Sequence, residues 1–203
     1  MAKYYYKNTE ILAPFTIISN EPMFDMTTIS LKTRRATQGH QRWELSFRTQ
    51  PTDNNIEETL LSSVNNLNSE TMIMPQIKSV EDRFTLSGTV ILAVAANANS
   101  STVSLTLTNS NSGIIPKGYF VKFSNNDKLH IVTADVDFSS GSSGTITMPI
   151  YPRLTSNVGV NDSVNTGNNT LFSYYKSIDN QTGITFTDGI LANSGTITLV
   201  EAI

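Results

Sequence analysis

The chain has 203 residues, 14 Lys and Arg against 17 Asp and Glu, and a formal net charge of −3. Charged residues make up only 15%, while Ser (23), Thr (26) and Asn (20) fill about a third of the sequence, a composition of β-rich surfaces and long polar turns. Cys is absent, which excludes a disulfide framework, thiolate metal sites and a Cys nucleophile, and the acidic balance argues against a dedicated nucleic-acid binder.

In chain order, Tyr4 to Tyr6, Phe15 to Ile18 and Thr27 to Leu31 read as short strands, punctuated at Pro14, Asn20 and Pro22. The N-terminal stretch has no apolar signal core, so synthesis in a cytoplasm is expected. Arg42 to Arg48 alternates, with Trp43, Leu45 and Phe47 on one face and Arg42, Glu44, Ser46 and Arg48 on the other. That is the period of a half-buried strand. A helix is expected over 54–67: Asp53 can cap it, Glu57 and Glu58 suit its first turn, and Ile56, Leu60, Val64 and Leu67 make an apolar stripe. Residues 72–86 offer two strand-like stretches, with Phe84 and Leu86 sharing a face.

The longest apolar run, Val90 to Ala96, has seven residues, far short of the ~20 a membrane helix needs, so no membrane insertion is expected. From 88 to 170 the composition shifts to four basic and four acidic residues and almost pure strand and turn. Val103, Leu105 and Leu107 alternate, as do Tyr119, Val121 and Phe123, then Leu129 and Ile131, then Ile146, Met148 and Ile150. Turns fall at 109–113, 125–127 and 139–144. This density of strands predicts a small closed or nearly closed barrel. Residues 155–170 read as a loop, and strands resume at Leu171 to Tyr175, Ile184 to Phe186 and Thr196 to Val200. The whole predicts a discontinuous outer domain, 1–86 plus 171–203, with a barrel domain inserted at 87–170.

Chemistry is sparse. The two histidines, His40 and His130, form no metal-ligand pair and read as structural or surface residues. Asp135 and Asp137 share a strand face at a spacing that suits a hard cation, but a solvated face explains them as well. No Ser has a nucleophile-elbow context, and no dinucleotide or Walker pattern occurs. The expectation is therefore no enzyme, no catalytic residues, no metal and no cofactor. Lys32, Arg34, Arg35, Arg42 and Arg48 place five basic side chains in 17 residues with only Glu44 opposing. Such a run suits an acidic partner subunit or a path for DNA, or is simply a solvated strand face. An inserted barrel with exposed aromatics at Tyr119 and Phe120 invites single-strand binding, but its charge balance gives no positive groove. The same barrel class binds oligosaccharides, which Asn- and Thr-rich loops suit.

Across nearly all of its length the chain resembles the distal tail proteins of siphophages. The resemblance is carried by Arg42-Trp-Glu-Leu-Ser-Phe-Arg48, Ile115-Pro-Lys-Gly-Tyr-Phe-Val-Lys-Phe123, Lys128 to Asp135, Gly144 to Leu154, Phe186-Thr-Asp-Gly189 and Ile197 to Ala202, in that order and spacing. It implies an all-β fold with one short helix: a tail-tube-like β-sandwich or barrel domain carrying an OB-like inserted barrel. It implies a structural virion protein, a ring that is typically hexameric, joining tail tube to tail tip or hub proteins. A virion is assembled in the host cytoplasm. Ring formation makes Arg34, Arg35, Arg42 and Arg48 subunit-interface candidates. The alternative reading is a carbohydrate-binding module whose barrel contacts host surface oligosaccharides, with its glycan-binding residues unassigned; sequence-specific nucleic-acid binding is not expected.

Overall fold

A computed structural model describes residues 4–7, 9–27, 33–37, 41–51, 68–108, 112–138, 144–177, 185–187, 191–193 and 195–203. The expected helix 54–67, Lys32, His40 and parts of the turns at 109–113 and 139–144 lie outside the described residues. The elements run β1 (Tyr5–Tyr6), β2 (Thr9–Asn20), β3 (Met23–Thr27), β4 (Thr33–Thr37), β5 (Arg42–Thr49) and β6 (Glu70–Ile73), then a four-residue helix α1 (Lys78–Glu81). There follow β7 (Val90–Leu92), β8 (Thr102–Leu107), β9 (Ile114–Ile115), β10 (Phe120–Phe123), β11 (Leu129–Val132), β12 (Val136–Asp137), β13 (Ile146–Tyr151) and β14 (Ser163–Asn165). A single 3₁₀ turn (Gly167–Asn169) leads to β15 (Leu171–Lys176), β16 (Thr185–Thr187), β17 (Leu191–Asn193) and β18 (Thr196–Glu201). The described chain is thus nearly all β.

Two compact units divide it: Met1–Glu70 with Tyr174–Ile203, and Thr71–Ser173. The sequence pattern placed the boundaries at 86/87 and 170/171 instead. The reason lies in residues 71–86, which pack within the second unit. Gln76 brackets β10, donating Nε2–H to the Phe120 carbonyl at 3.1 Å and accepting the Phe120 amide at 3.0 Å. Val80, Phe84 and Leu86 join the second unit's core, and Phe84 stacks on Tyr119 with ring centroids 4.5 Å apart. The second strand expected within 72–86 is therefore α1 and a turn. Gly113 lets this segment close: a Cβ there would lie 2.4 Å from the Leu86 Cα, and its φ of +146° suits glycine alone.

The second unit is a closed barrel in the order β10-β11-β13-β8-β7-β14. All six contacts are antiparallel. Leu92, Leu105, Val121, Phe123 and Met148 fill it. The expected alternation of Leu129 and Ile131 is real, but the opposite set faces inward. Val121 pairs with His130, and it is Val132 that joins the core. β10 is buried on both faces, Phe120 and Lys122 included, so Tyr119 and Phe120 are not exposed aromatics: they are 2% and 1% accessible.

The first unit holds an open sheet. β1, β2, β5 and β18 lie in that order and continue into β15 and β6. Pro14 sits inside β2 rather than ending a strand. The ladder to β5 slips between Leu12 and Thr16, where proline has no amide proton to donate. Among the described residues, β3 and β4 pair only with each other, as do β16 and β17. The strand expected from Thr27 starts earlier, at Met23; 28–31 lie outside the described residues.

Candidate subunit-contact surface

β5 forms because one face can be buried and the other cannot. Trp43, Leu45 and Phe47 are 5%, 0% and 1% accessible, while Arg42 and Arg48 are exposed. Tyr6 meets Phe47 edge-on at 5.4 Å, and Phe15 stacks on the same ring at 5.9 Å. Register then builds the outer face row by row. Glu44 lies between Ile18 and Val200, Ser46 between Thr16 and Thr198, and Arg48 between Leu12 and Thr196. The result is a hydroxyl-rich face with an arginine at each end of β5. Arg48 Nε donates to Thr196 Oγ1 at 3.3 Å, and Asn20 Nδ2 donates to Glu44 at 2.6 Å.

The basic run is therefore not one patch. Arg42 and Arg48 are separated by about 20 Å of strand at ~3.3 Å per residue, with Glu44 between them. Arg35 lies on β4 and pairs with Asp25 of β3 at 2.8 Å, both side chains largely exposed. Arg34 sits in β4 opposite Met26. Three of the four candidates thus map to two separate places, the β5 face and the β3–β4 hairpin, and Arg34 shares the hairpin.

The sequence reading missed the hairpin's apolar load. All five residues of β3 are exposed, with Met23 at 53%, Phe24 at 63% and Met26 at 64%. Adjacent apolar residues at 23 and 24 break strict alternation, so neither template caught them; Met-Phe-Asp-Met after Pro22 was the available signal. Also missed was a half-buried polar cluster in the first unit. Glu70 accepts from Lys7 Nζ at 2.8 Å and from the Tyr174 hydroxyl at 2.9 Å. Burial pulls the Glu70 carboxyl upward, but the Lys7 and Tyr174 hydrogen bonds and the Lys7 charge hold it below the ordinary carboxylate range. Burial, then the charge of Tyr6 and the bond to Glu70, push the Tyr174 hydroxyl up. Burial and the Lys7 charge hold Lys176 down.

In the barrel, His130 is fully buried beside Phe123 and bonds the Pro152 carbonyl through Nδ1 at 2.8 Å. A carbonyl only accepts, so Nδ1 carries the proton, and buried Nε2 is a bare acceptor without a hydrogen bond. Burial, assisted by the Lys128 charge and opposed by the Pro152 bond, holds its pKa down at about 4. Asp135 accepts from the Lys117 amide at 2.7 Å and from Arg83 at 2.6 Å, which hold its carboxyl low. Among the described residues no group of three or more His, Asp or Glu is placed to hold a metal, and no helix is long and apolar enough to cross a membrane.

One end of the barrel carries a different surface. The β7–β14 ladder continues to an Ala96–Val158 bridge. Around it Val94 and Val160 are exposed, together with Asn97, Asn99, Asn157 and Asn161. Asn157 Oδ1 accepts the Ala98 amide at 2.8 Å. No protein-family model matches the chain, and no curated protein sequence matches it.

Proposed function

We propose that this chain is a structural ring subunit at the distal end of a long non-contractile phage tail, joining the tail tube to the tip. Its partners are then further copies of itself, hexameric by the resemblance, with tube and tip or hub proteins above and below. The observation that carries this reading is the open sheet of the first unit. Among the described residues, the N-terminal stretch covers β2 at Thr9 and Glu10 and, through the Ile11 amide to the Tyr4 carbonyl at 2.9 Å, at Ile11; beyond that, β5 is the strand paired with β2, which runs on to Asn20. Soluble proteins blunt open sheet edges unless another chain uses them. A ring needs this kind of heterologous contact, one surface meeting a different one on the neighbour.

The test is immunolabelling of intact particles viewed by electron microscopy. A collar of label near the far end of the tail is the expected result; complete, accessible virions free of label would overturn it. Charge reversal of Arg42 and Arg48 tests the β5 face separately. Loss of incorporation into tails, with the monomer melting normally, would place the contact there, and normal incorporation would remove it.

A second reading is favoured by the barrel end. Four exposed asparagines beside Val94 and Val160 combine amide donors and acceptors with apolar contact, the chemistry of oligosaccharide recognition. Calorimetric titration of the full chain against host surface polysaccharide should then give saturable heat that Asn97→Ala with Asn161→Ala abolishes; no heat would count against it.

A further inference from the structure

We infer that the N-terminal strand pair of the first unit, β1 with the start of β2, is a separable strap. It closes a curled sheet onto its far edge through the Glu70 carboxylate, and it swings free, with the rest of the unit folded, when that carboxylate is neutralised. The device lies within one chain and holds whether or not the chain joins a ring.

The ladder places β1 and β6 at opposite edges of a six-stranded sheet, and among the described residues no ladder joins those edges. Laid flat, at about 4.8 Å per strand, the sheet would hold them roughly 24 Å apart. Yet Lys7, in the turn after β1, donates from Nζ to Glu70 Oε1 at 2.8 Å. Buried Tyr6 of β1 lies 6.1 Å, centroid to centroid, from Tyr174 of β15, four strands along the order. The sheet therefore curls until its edges meet, and side chains close the gap that the backbone leaves open.

Glu70 is the centre of that closure. It accepts from Lys7 on the strap and from the Tyr174 hydroxyl, at 2.9 Å, on the sheet, so one carboxylate ties the two together. The charged and titratable groups acting on it are Lys7, Tyr174 and Lys176, with Tyr6 beside Tyr174. Burial works against the Glu70 charge, and the two hydrogen bonds and both lysines outweigh it.

The strap also has a hinge. It joins β5 through the pairs Ile11–Thr49 and Leu12–Arg48, and through the Gln50 amide on the Glu10 carbonyl at 2.8 Å. The chain then reaches Pro14, which has no amide to donate, and the ladder slips before Thr16. At the free end, Lys7 has a φ of +45°, a left-handed conformation rare for any residue with a Cβ. Glycine or asparagine suits such a turn better. Lysine there sets its ammonium against Glu70, and the strained backbone favours release once that bond is lost. A hairpin on its own is at best marginally stable, so release opens the strap amides to solvent.

Amide hydrogen exchange on the purified full chain at pH 7 tests this. His130 is neutral at that pH, so the acid sensitivity of the barrel does not enter. Glu70→Gln keeps the shape of the side chain and removes its charge. The Gln50 and Ile11 amides, which bond the Glu10 and Tyr4 carbonyls, should then exchange about tenfold faster, the effect of losing charge-assisted bonds. The Ser177 amide, on the Thr198 carbonyl, and the Val132 amide, on the Tyr119 carbonyl, should keep their rates. Lys7→Met should give the same pattern from the strap side, and it carries the test alone if Glu70→Gln does not fold, because it leaves the Glu70–Tyr174 bond in place. Acceleration at Ser177 as large as at Gln50 would mean that the unit opens only as a whole, and would overturn the strap. Unchanged rates at Gln50 and Ile11 in either folded variant would overturn Glu70 as its latch.

Discussion

The barrel and the hairpin arm are built from the same kind of strand and have opposite fates. In the barrel every strand has two neighbours, no edge is left over, and β10 is covered even on its outer face. In the arm, among the described residues, β3 has one neighbour and no buried side chain. The barrel draws its stability from its own residues, so its side chains are committed to packing. The arm contributes little to the stability of the chain, and Phe24 and Met26 remain exposed on it. The difference is one of closure, not of composition.

Substitutions should separate the two regions by the size of their effects. Phe123→Ala empties a fully buried site in the barrel core and should cost about 3–5 kcal/mol, read from urea denaturation. A cost under about 1 kcal/mol would mean the barrel is not packed as described.

Acid is the next largest lever. His130 titrates near 4 in the folded barrel against 6.5 when exposed. Between those values the unfolded chain binds a proton that the folded chain refuses. Stability is therefore full above pH 6.5 and falls as pH drops toward 4, by about 3 kcal/mol in all at 1.36 kcal/mol per pH unit. His130→Gln should flatten that slope in urea melts at pH 7 and pH 4.5; an unchanged slope would assign the acid sensitivity to other groups.

A smaller effect belongs to the first unit. Tyr174→Phe removes a hydrogen bond to the Glu70 carboxylate and should cost about 1 kcal/mol at pH 7, because Glu70 is partly solvated and Lys7 remains. Glu70 titrates low in the fold, so the loss should be present at neutral pH and fade as pH falls through the carboxylate range. Last, Phe24→Ser in the arm should change monomer stability by no more than about 0.5 kcal/mol. A loss comparable with that of Phe123→Ala would mean that the arm is packed within its own chain.

The same contrast explains what could be read from the residues alone. Alternation reports a difference between two faces. β5 has one buried and one wet face, so Trp43, Leu45 and Phe47 announced it. β10 and β11 are covered on both sides, so the sequence showed strands there but not which face was inward; His130 points into the barrel where Ile131 was expected. β3 has no buried face, so its apolar residues Met23, Phe24 and Met26 fit neither the alternating nor the helical template, and composition was the only cue. Tyr119 and Phe120 were misplaced for a related reason. Their covering comes from Phe84 and Gln76, more than thirty positions earlier in the chain, and no local pattern encodes a partner at that range. The arginines could be found by composition, but their separation onto β4 and the two ends of β5 depends on register.

The chain leaves the first unit after Glu70 and re-enters it at Tyr174. The strands that carry it out and back, β6 and β15, are neighbours in one sheet, which sets exit and return about 5 Å apart. Any module whose own termini lie side by side meets that requirement. The excursion between Glu70 and Tyr174 is therefore anchored at a single strand pair, so one local ladder sets both ends of the intervening chain.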